Sequence, residues 1–309
     1  MKKILALLLI CCAFAALSAK ELKVLMIGNS FSNSVLRYFP LIVEASKEHK
    51  LTLANAYIGG CTLERHCQNI DDEKTNPKGT PYTFNFVGKK TTRAKLSDMI
   101  KAEKWDIITI QQGSTHSPYK EKTHDLAQKL INFVKELAPQ AEIVVHQTWA
   151  YRADAPWFKG PKPKMTRQKM HDMLTANYTE LAQKHNFRMI PVGNAVQLFR
   201  EKLPVKEVAY TAADLKKLKQ PETIDITGGD VVGSMKWTQD RKDKKKIVLK
   251  VDKTHLNDAG AFMQGCVWYM VLFNAKAADI KYNYVPKNNN VNVKLLLECA
   301  EEAVKQLKK

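Results

Sequence analysis

The stretch Lys23-Val24-Leu25-Met26-Ile27-Gly28-Asn29-Ser30-Phe31-Ser32 decides how this chain is read. Four consecutive apolar residues stopped by a glycine have the length and composition of a strand buried on both faces, as in a parallel sheet. The polar turn that follows carries a serine at the strand's tip. Far downstream stands Asp252-Lys253-Thr254-His255, directly before Leu256-Asn257-Asp258-Ala259-Gly260. A serine hydroxyl is a weak nucleophile until an imidazole takes its proton and a carboxylate orients that imidazole. Each stretch alone also fits a turn serine, a helix-capping aspartate and a surface histidine. Together, in the chain order Ser30, Asp252, His255, they favour a catalytic triad.

Outward from the first stretch, strand-like and helix-like runs alternate. The pattern predicts strands over Lys23–Ile27, Leu51–Ile58, Asp106–Gln111, Glu142–His146 and Phe187–Val192, with Tyr82–Val87 as a small antiparallel excursion. Helices are predicted over Asn33–His49, Arg93–Glu103, Lys122–Leu137, Met165–His185, Asn257–Phe273 and Val291–Lys308. Strands separated by helices of this length imply a parallel sheet covered on both faces. One segment, about 212–251, breaks the rhythm with Gly228-Gly229, a charged turn and the alternating run Ile247–Val251, and reads as an inserted β-hairpin. No repeat or linker is visible, so residues 20–309 are expected to form one domain.

The 309 residues are 45% hydrophobic and 26% charged, ordinary globular values. Residues 1–19 are expected to be a secretory signal peptide: Lys2-Lys3, an apolar run from Ile4 to Phe14, then small residues to Ala19. That run is too short to span a bilayer. A periplasmic or secreted protein follows, with lipidation at Cys11 or Cys12 the second choice and no other membrane association expected. Of six cysteines, Cys61, Cys67, Cys266 and Cys299 would remain. An oxidising compartment permits disulfides among them, Cys61 and Cys67 lying close in what reads as one polar loop, but the spacing does not choose a pairing. No Cys/His cluster suggests a metal, and no cofactor is implied. The net charge is +18, of which Lys2 and Lys3 contribute two, leaving +16. With no nucleic-acid motif in a chain read as exported, an acidic polysaccharide is the partner this excess suggests, beside simple solvation.

In an open parallel sheet, function collects beyond the C-terminal strand ends. Ser30, Gly59-Gly60, Gln111-Gln112-Gly113-Ser114 and His146-Gln147-Thr148-Trp149 each follow a predicted strand. Four such blocks carry a resemblance: Gly28-Asn29-Ser30-Phe31-Ser32, Ile58-Gly59-Gly60-Cys61-Thr62-Leu63-Glu64, Ile110-Gln111-Gln112-Gly113-Ser114 and Gln147-Thr148-Trp149-Ala150-Tyr151, closed by Asp252-x-x-His255. In order they resemble the SGNH/GDSL hydrolase superfamily, and more closely a mostly bacterial branch of it. The resemblance implies a flavodoxin-like three-layer αβα sandwich with a parallel sheet of about five strands, and esterase, lipase or carbohydrate deacetylase activity. It assigns Ser30, Asp252 and His255 to a triad, and the amides of Ser30 and of Gly59 or Gly60 to an oxyanion hole. Two departures stand out. Asn29 replaces the superfamily's aspartate, which is expected to alter only a local turn bond. Gln111-Gln112 replace its oxyanion asparagine, and Gln112 is taken as the side-chain donor. No Gly-x-Ser-x-Gly elbow supports the other common hydrolase fold.

The leading expectation is a serine esterase removing small acyl groups, O-acetyl first, from a small molecule or a polysaccharide, anionic by the charge argument. Gln111, His146, Gln147, Trp149 and Tyr151 are taken as substrate contacts, with Trp149, Tyr151 and Trp157 stacking on sugar faces. A weakly active or non-catalytic carbohydrate-binding protein on the same fold is the alternative, and a lipase or thioesterase the third. Asp71-Asp72-Glu73 is read as capping or solvating a loop rather than holding a cation, and the sequon Asn177-Tyr178-Thr179 as chance.

Overall fold

The computed structural model describes residues 19–159, 165–203, 210–240, 242–286 and 291–307. The expected signal peptide therefore lies outside the described residues except for Ala19, as do Arg241 and Lys308. Nine strands are described: β1 (Glu21–Gly28), β2 (Lys50–Tyr57), β3 (Tyr82–Phe86), β4 (Thr92–Ala94), β5 (Ile107–Ile110), β6 (Glu142–His146), β7 (Met189–Ile190), β8 (Val232–Gln239) and β9 (Ile247–Leu256). The helices are α1 (Ser30–Asn33), α2 (Phe39–Ser46), α3 (Leu63–Thr75), α4 (Leu96–Lys101), α5 (His124–Leu137), α6 (Arg167–His185), α7 (Val192–Lys202), α8 (Ala212–Lys217), α9 (Asp258–Phe273) and α10 (Val293–Gln306).

The main sheet has seven strands in the order β4-β3-β2-β1-β5-β6-β7. β2, β1, β5, β6 and β7 are mutually parallel, and these five are the parallel sheet expected from sequence. Two antiparallel edge strands, β3 and β4, extend it to seven. The central strands are rich in apolar residues because helices cover both faces: Val24, Leu25, Met26 and Ile108 are fully buried. α2, α7, α9 and α10 pack together on one face, and α3, α4 and α5 on the other. β8 and β9 form a separate antiparallel hairpin, the insertion expected from the alternating run.

Several boundaries differ from expectation. β7 is only two residues long, and the segment read as helix over Arg93–Glu103 is shared between β4 and α4. α3 and α7 were not foreseen. Cys67 consequently sits on α3 rather than in a polar loop, and all four cysteines are buried free thiols. Glu73 accepts from the Leu96 and Ser97 amides and so caps α4, while Asp71 pairs with Lys129. Asn177 of the sequon is buried, donating to Ser117 O and Thr123 Oγ1. Among the described residues no helix is long and apolar enough to cross a membrane.

Candidate active site

Parallel pairing brings the C-terminal ends of β1, β2, β5 and β6 to one edge, with Gly28 beside Tyr57, Ile27 beside Ile110, and Ile110 beside Val145. Ser30, Gly59, Gln111, Gln112 and His146 therefore gather there. At Ser30 the chain turns sharply. Asn29 is extended and caps α1, its Oδ1 accepting from Phe31 N at 3.0 Å. Gly28 has no room for a side chain, since a Cβ would lie 2.7 Å from Ser32 Oγ.

The hairpin and α9 bring the distant block to this edge. His255 Nε2 lies 2.8 Å from Ser30 Oγ, and His255 Nδ1 lies 2.7 Å from Asp252 Oδ2. Asp252 Oδ1 also accepts from the backbone amides of Thr254 and His255, both at 2.9 Å. Burial pushes the Asp252 carboxyl up, but these bonds from His255 and Thr254 outweigh it and hold the group well below the usual carboxylate range. An ionised carboxylate only accepts, so Nδ1 of the neutral ring carries the proton and Nε2 is left to accept from Ser30. The His255 side chain is 40% exposed, so a substrate can reach it.

Phe31 and Trp149 brace this arrangement. Their rings stack 4.1 Å apart at 7°, Phe31 meets the His255 ring edge-on at 5.4 Å, and Trp149 Nε1 donates to Thr254 O at 2.9 Å. Nearby, Arg152 N donates to Lys253 O, and Asp154 accepts from both Arg152 Nε and Lys253 Nζ. The turn holding Asp252 and His255 is thus pinned from the strand side. Beneath the serine runs a buried polar chain that sequence reading missed. Gln264 Nε2 contacts His146 Nε2 at 3.2 Å, His146 Nδ1 meets Gln111 Oε1 at 2.7 Å, and Gln111 Nε2 donates to Asn29 Oδ1 at 2.8 Å. Asn29 Nδ2 then donates to Cys61 O at 2.9 Å, tying the serine turn to the Gly59-Gly60 loop. Asn29 does far more than adjust a local turn.

Several expectations are corrected here. Gln112 is fully buried and turned away: its Oε1 accepts from Leu63 N and Gly113 N, and its Nε2 donates to Lys122 O. Gln111 is equally committed to Asn29 and His146, so neither glutamine offers a free donor beside Ser30. His146 is fully buried, and burial pushes its imidazole down to about 3, so it stays neutral inside the polar chain. Gln147 is buried against Asn194 and Thr175. Trp149 and Tyr151 are core residues, Tyr151 sharing a hydrogen bond with Ser114. All six of these side chains are buried, so the expected substrate contacts at Gln111, His146, Gln147, Trp149 and Tyr151 and the donor role of Gln112 are not met. The main-chain amides remain: among the described residues those of Ser30, Gly59 and Gly60 donate to no other group. A cleft of about 710 Å³ opens over Ser30 and His255, lined by Ser34, Arg37, Lys236 and Lys250 among others.

The family model described as "Domain of unknown function (DUF4886)" matches residues 23–208, a span that holds Ser30 but ends before Asp252. A DUF4886 family protein from Bacteroides uniformis is 25% identical, with a TM-score of 0.70 over 94% of this chain and 96% of that one. An acetylxylan esterase from Geobacillus stearothermophilus is 13% identical, with a TM-score of 0.44 over 86% of this chain and 97% of that one. A GDSL-like lipase from Bacteroides thetaiotaomicron is 13% identical, with a TM-score of 0.39 over 81% of this chain and 86% of that one. No curated protein matches the chain in sequence.

Proposed function

The chain belongs to the DUF4886 family, and from its site we propose that it is an exported serine esterase that removes small acyl groups, O-acetyl above all, from carbohydrate. The observation that carries this reading is the line Ser30 Oγ, His255 Nε2, His255 Nδ1, Asp252 Oδ2, joined by contacts of 2.8 and 2.7 Å. Ser30 Oγ attacks the acyl carbon while its proton moves to His255 Nε2. The tetrahedral oxyanion is met by the Ser30 amide and a Gly59 or Gly60 amide, two main-chain donors in place of a side-chain one. Collapse breaks the bond to the alcohol, which leaves with the proton from Nε2. Water, deprotonated by the same nitrogen, then releases the acid and restores Ser30. Asp252 keeps the ring's tautomer and steadies the imidazolium. Export rests on residues 1–19 and remains part of the proposal.

The carbohydrate-binding alternative gains from the turned-away Gln112, but of its three expected stacking rings Trp149 and Tyr151 are buried and only Trp157, packed edge-on against Tyr151, is half-exposed. The lipase reading finds a cleft lined largely by polar and charged side chains. A 4-nitrophenyl ester series from acetyl to octanoyl separates the readings. The acetyl ester is expected to be cleaved at least tenfold faster than the octanoyl ester, in line with the small effective gain per methylene of a polar cleft. Octanoyl preference would move the reading to a lipase, and no turnover of any member to a binding protein.

A further inference from the structure

In the hairpin, residues directly paired across the strands share a face. Ser234 pairs with Asp252, and the next pair on that face is Lys236 with Lys250. Asp252 turns its carboxylate to His255, so this is the face that carries the triad. The two lysines lie one step further along it, about 7 Å from the Ser234–Asp252 pair by strand rise. Both line the cleft that holds Ser30 and His255, and both are exposed.

Like charges placed directly opposite each other weaken a hairpin. Among the described residues neither lysine forms an ion pair that would relieve this. The carboxylates at the cleft are already engaged, Asp252 by His255 and Asp258 by Arg37 and Tyr284. Beyond the pair, the hairpin tip adds exposed Lys242, Lys244, Lys245 and Lys246. Asp240 and Asp243 stand among those tip lysines and the neutral pair Thr238–Val248 separates them from the cleft, so Lys236 and Lys250 are the positive pair beside the triad. We infer that Lys236 and Lys250 form a subsite for an oxyanion, carboxylate or sulfate, on the alcohol half of the ester. The substrate class is then an O-acylated acidic carbohydrate whose charge lies within about one sugar of the ester. This rests on the esterase reading for its chemistry but not for its binding.

The test compares wild type with Lys236→Met/Lys250→Met on an O-acetylated oligouronate and on the same oligosaccharide with its carboxyls reduced to alcohols. The ratio of kcat/KM for the charged over the reduced form is expected to fall about tenfold in the variant, through KM, and raising salt should lower the ratio in wild type alone. Lys236→Arg/Lys250→Arg should retain the ratio. Melting temperature should stay level or rise, because the repulsion is gone. An unchanged ratio in a folded variant overturns the subsite. Binding is measured separately with unacetylated oligouronate and with a sulfated neutral oligosaccharide, which distinguishes the two anions. Weaker binding of either by about tenfold in the Met variant supports the subsite even if no ester is turned over, the result that would defeat the esterase reading alone. Equal binding by both proteins, or none by wild type, overturns it.

Discussion

Replacing Ser30 by alanine is expected to lower hydrolysis of 4-nitrophenyl acetate by ~10³-fold or more, with the fold intact. The hydroxyl removed is the one 2.8 Å from His255 Nε2. His255→Ala should cause a loss of the same order, and the double variant little more, because the two act as one unit. The pH profile carries a sign. Hydrogen bonds hold the Asp252 carboxyl well below its ordinary range, so it stays ionised through mild acid. Loss of the Asp252 carboxylate is therefore not expected to lower activity in mild acid. Rates for Ser30→Ala within about tenfold of wild type would contradict nucleophilic catalysis.

The second large effect is on stability. Arg200 on α7 and Asp230 before β8 form a buried pair, with side chains 2% and 1% exposed and Nη2 2.9 Å from Oδ2. Arg200 Nη1 also donates to Ala150 O, Val232 N donates to Asp230 Oδ1, and Asn257 Nδ2 donates to Asp230 O. The pair joins α7, the loop after β6 and the base of the hairpin that carries Asp252 and His255. Asp230→Ala leaves the guanidinium buried without its counter-charge, a change that costs about 3–5 kcal/mol. Urea unfolding should show a lower midpoint at unchanged slope, and turnover should fall too as the hairpin base loosens. A loss under about 1 kcal/mol would mean that water takes over the guanidinium and that the hairpin is held elsewhere.

Much of this fold is legible in the chain because strands buried on both faces advertise themselves. Val24–Ile27, Ile107–Ile110 and Ile143–Val145 need no partner to be recognised. β7 is harder, since only Met189 and Ile190 pair before Pro191 starts α7. α7 itself had a readable signal in Val192, Ala195, Val196 and Phe199, spaced for one helix face, as α3 had in Leu63, Cys67 and Ile70 behind its cap Thr62. The meeting of Ser30, His255 and Asp252 was legible because Asp252 and His255 are local to each other and the serine follows the first strand. The oxyanion donor and the substrate contacts were not. Whether Gln112 or Trp149 points into the cleft depends on which neighbours cover it, and those neighbours, Leu63, Lys122, Phe31 and Thr254, come from elsewhere in the chain. Two adjacent glutamines look alike in sequence; tertiary hydrogen bonding turns both inward.

The central claim is that Ser30 is an activated nucleophile, and a covalent trap tests it most directly. Intact-mass and peptide analysis after exposure to a small fluorophosphonate should show one adduct, on Ser30, formed far more slowly in His255→Ala. No adduct at all, or one on Ser32, Ser34 or Ser114 with Ser30 unmodified, would contradict the account.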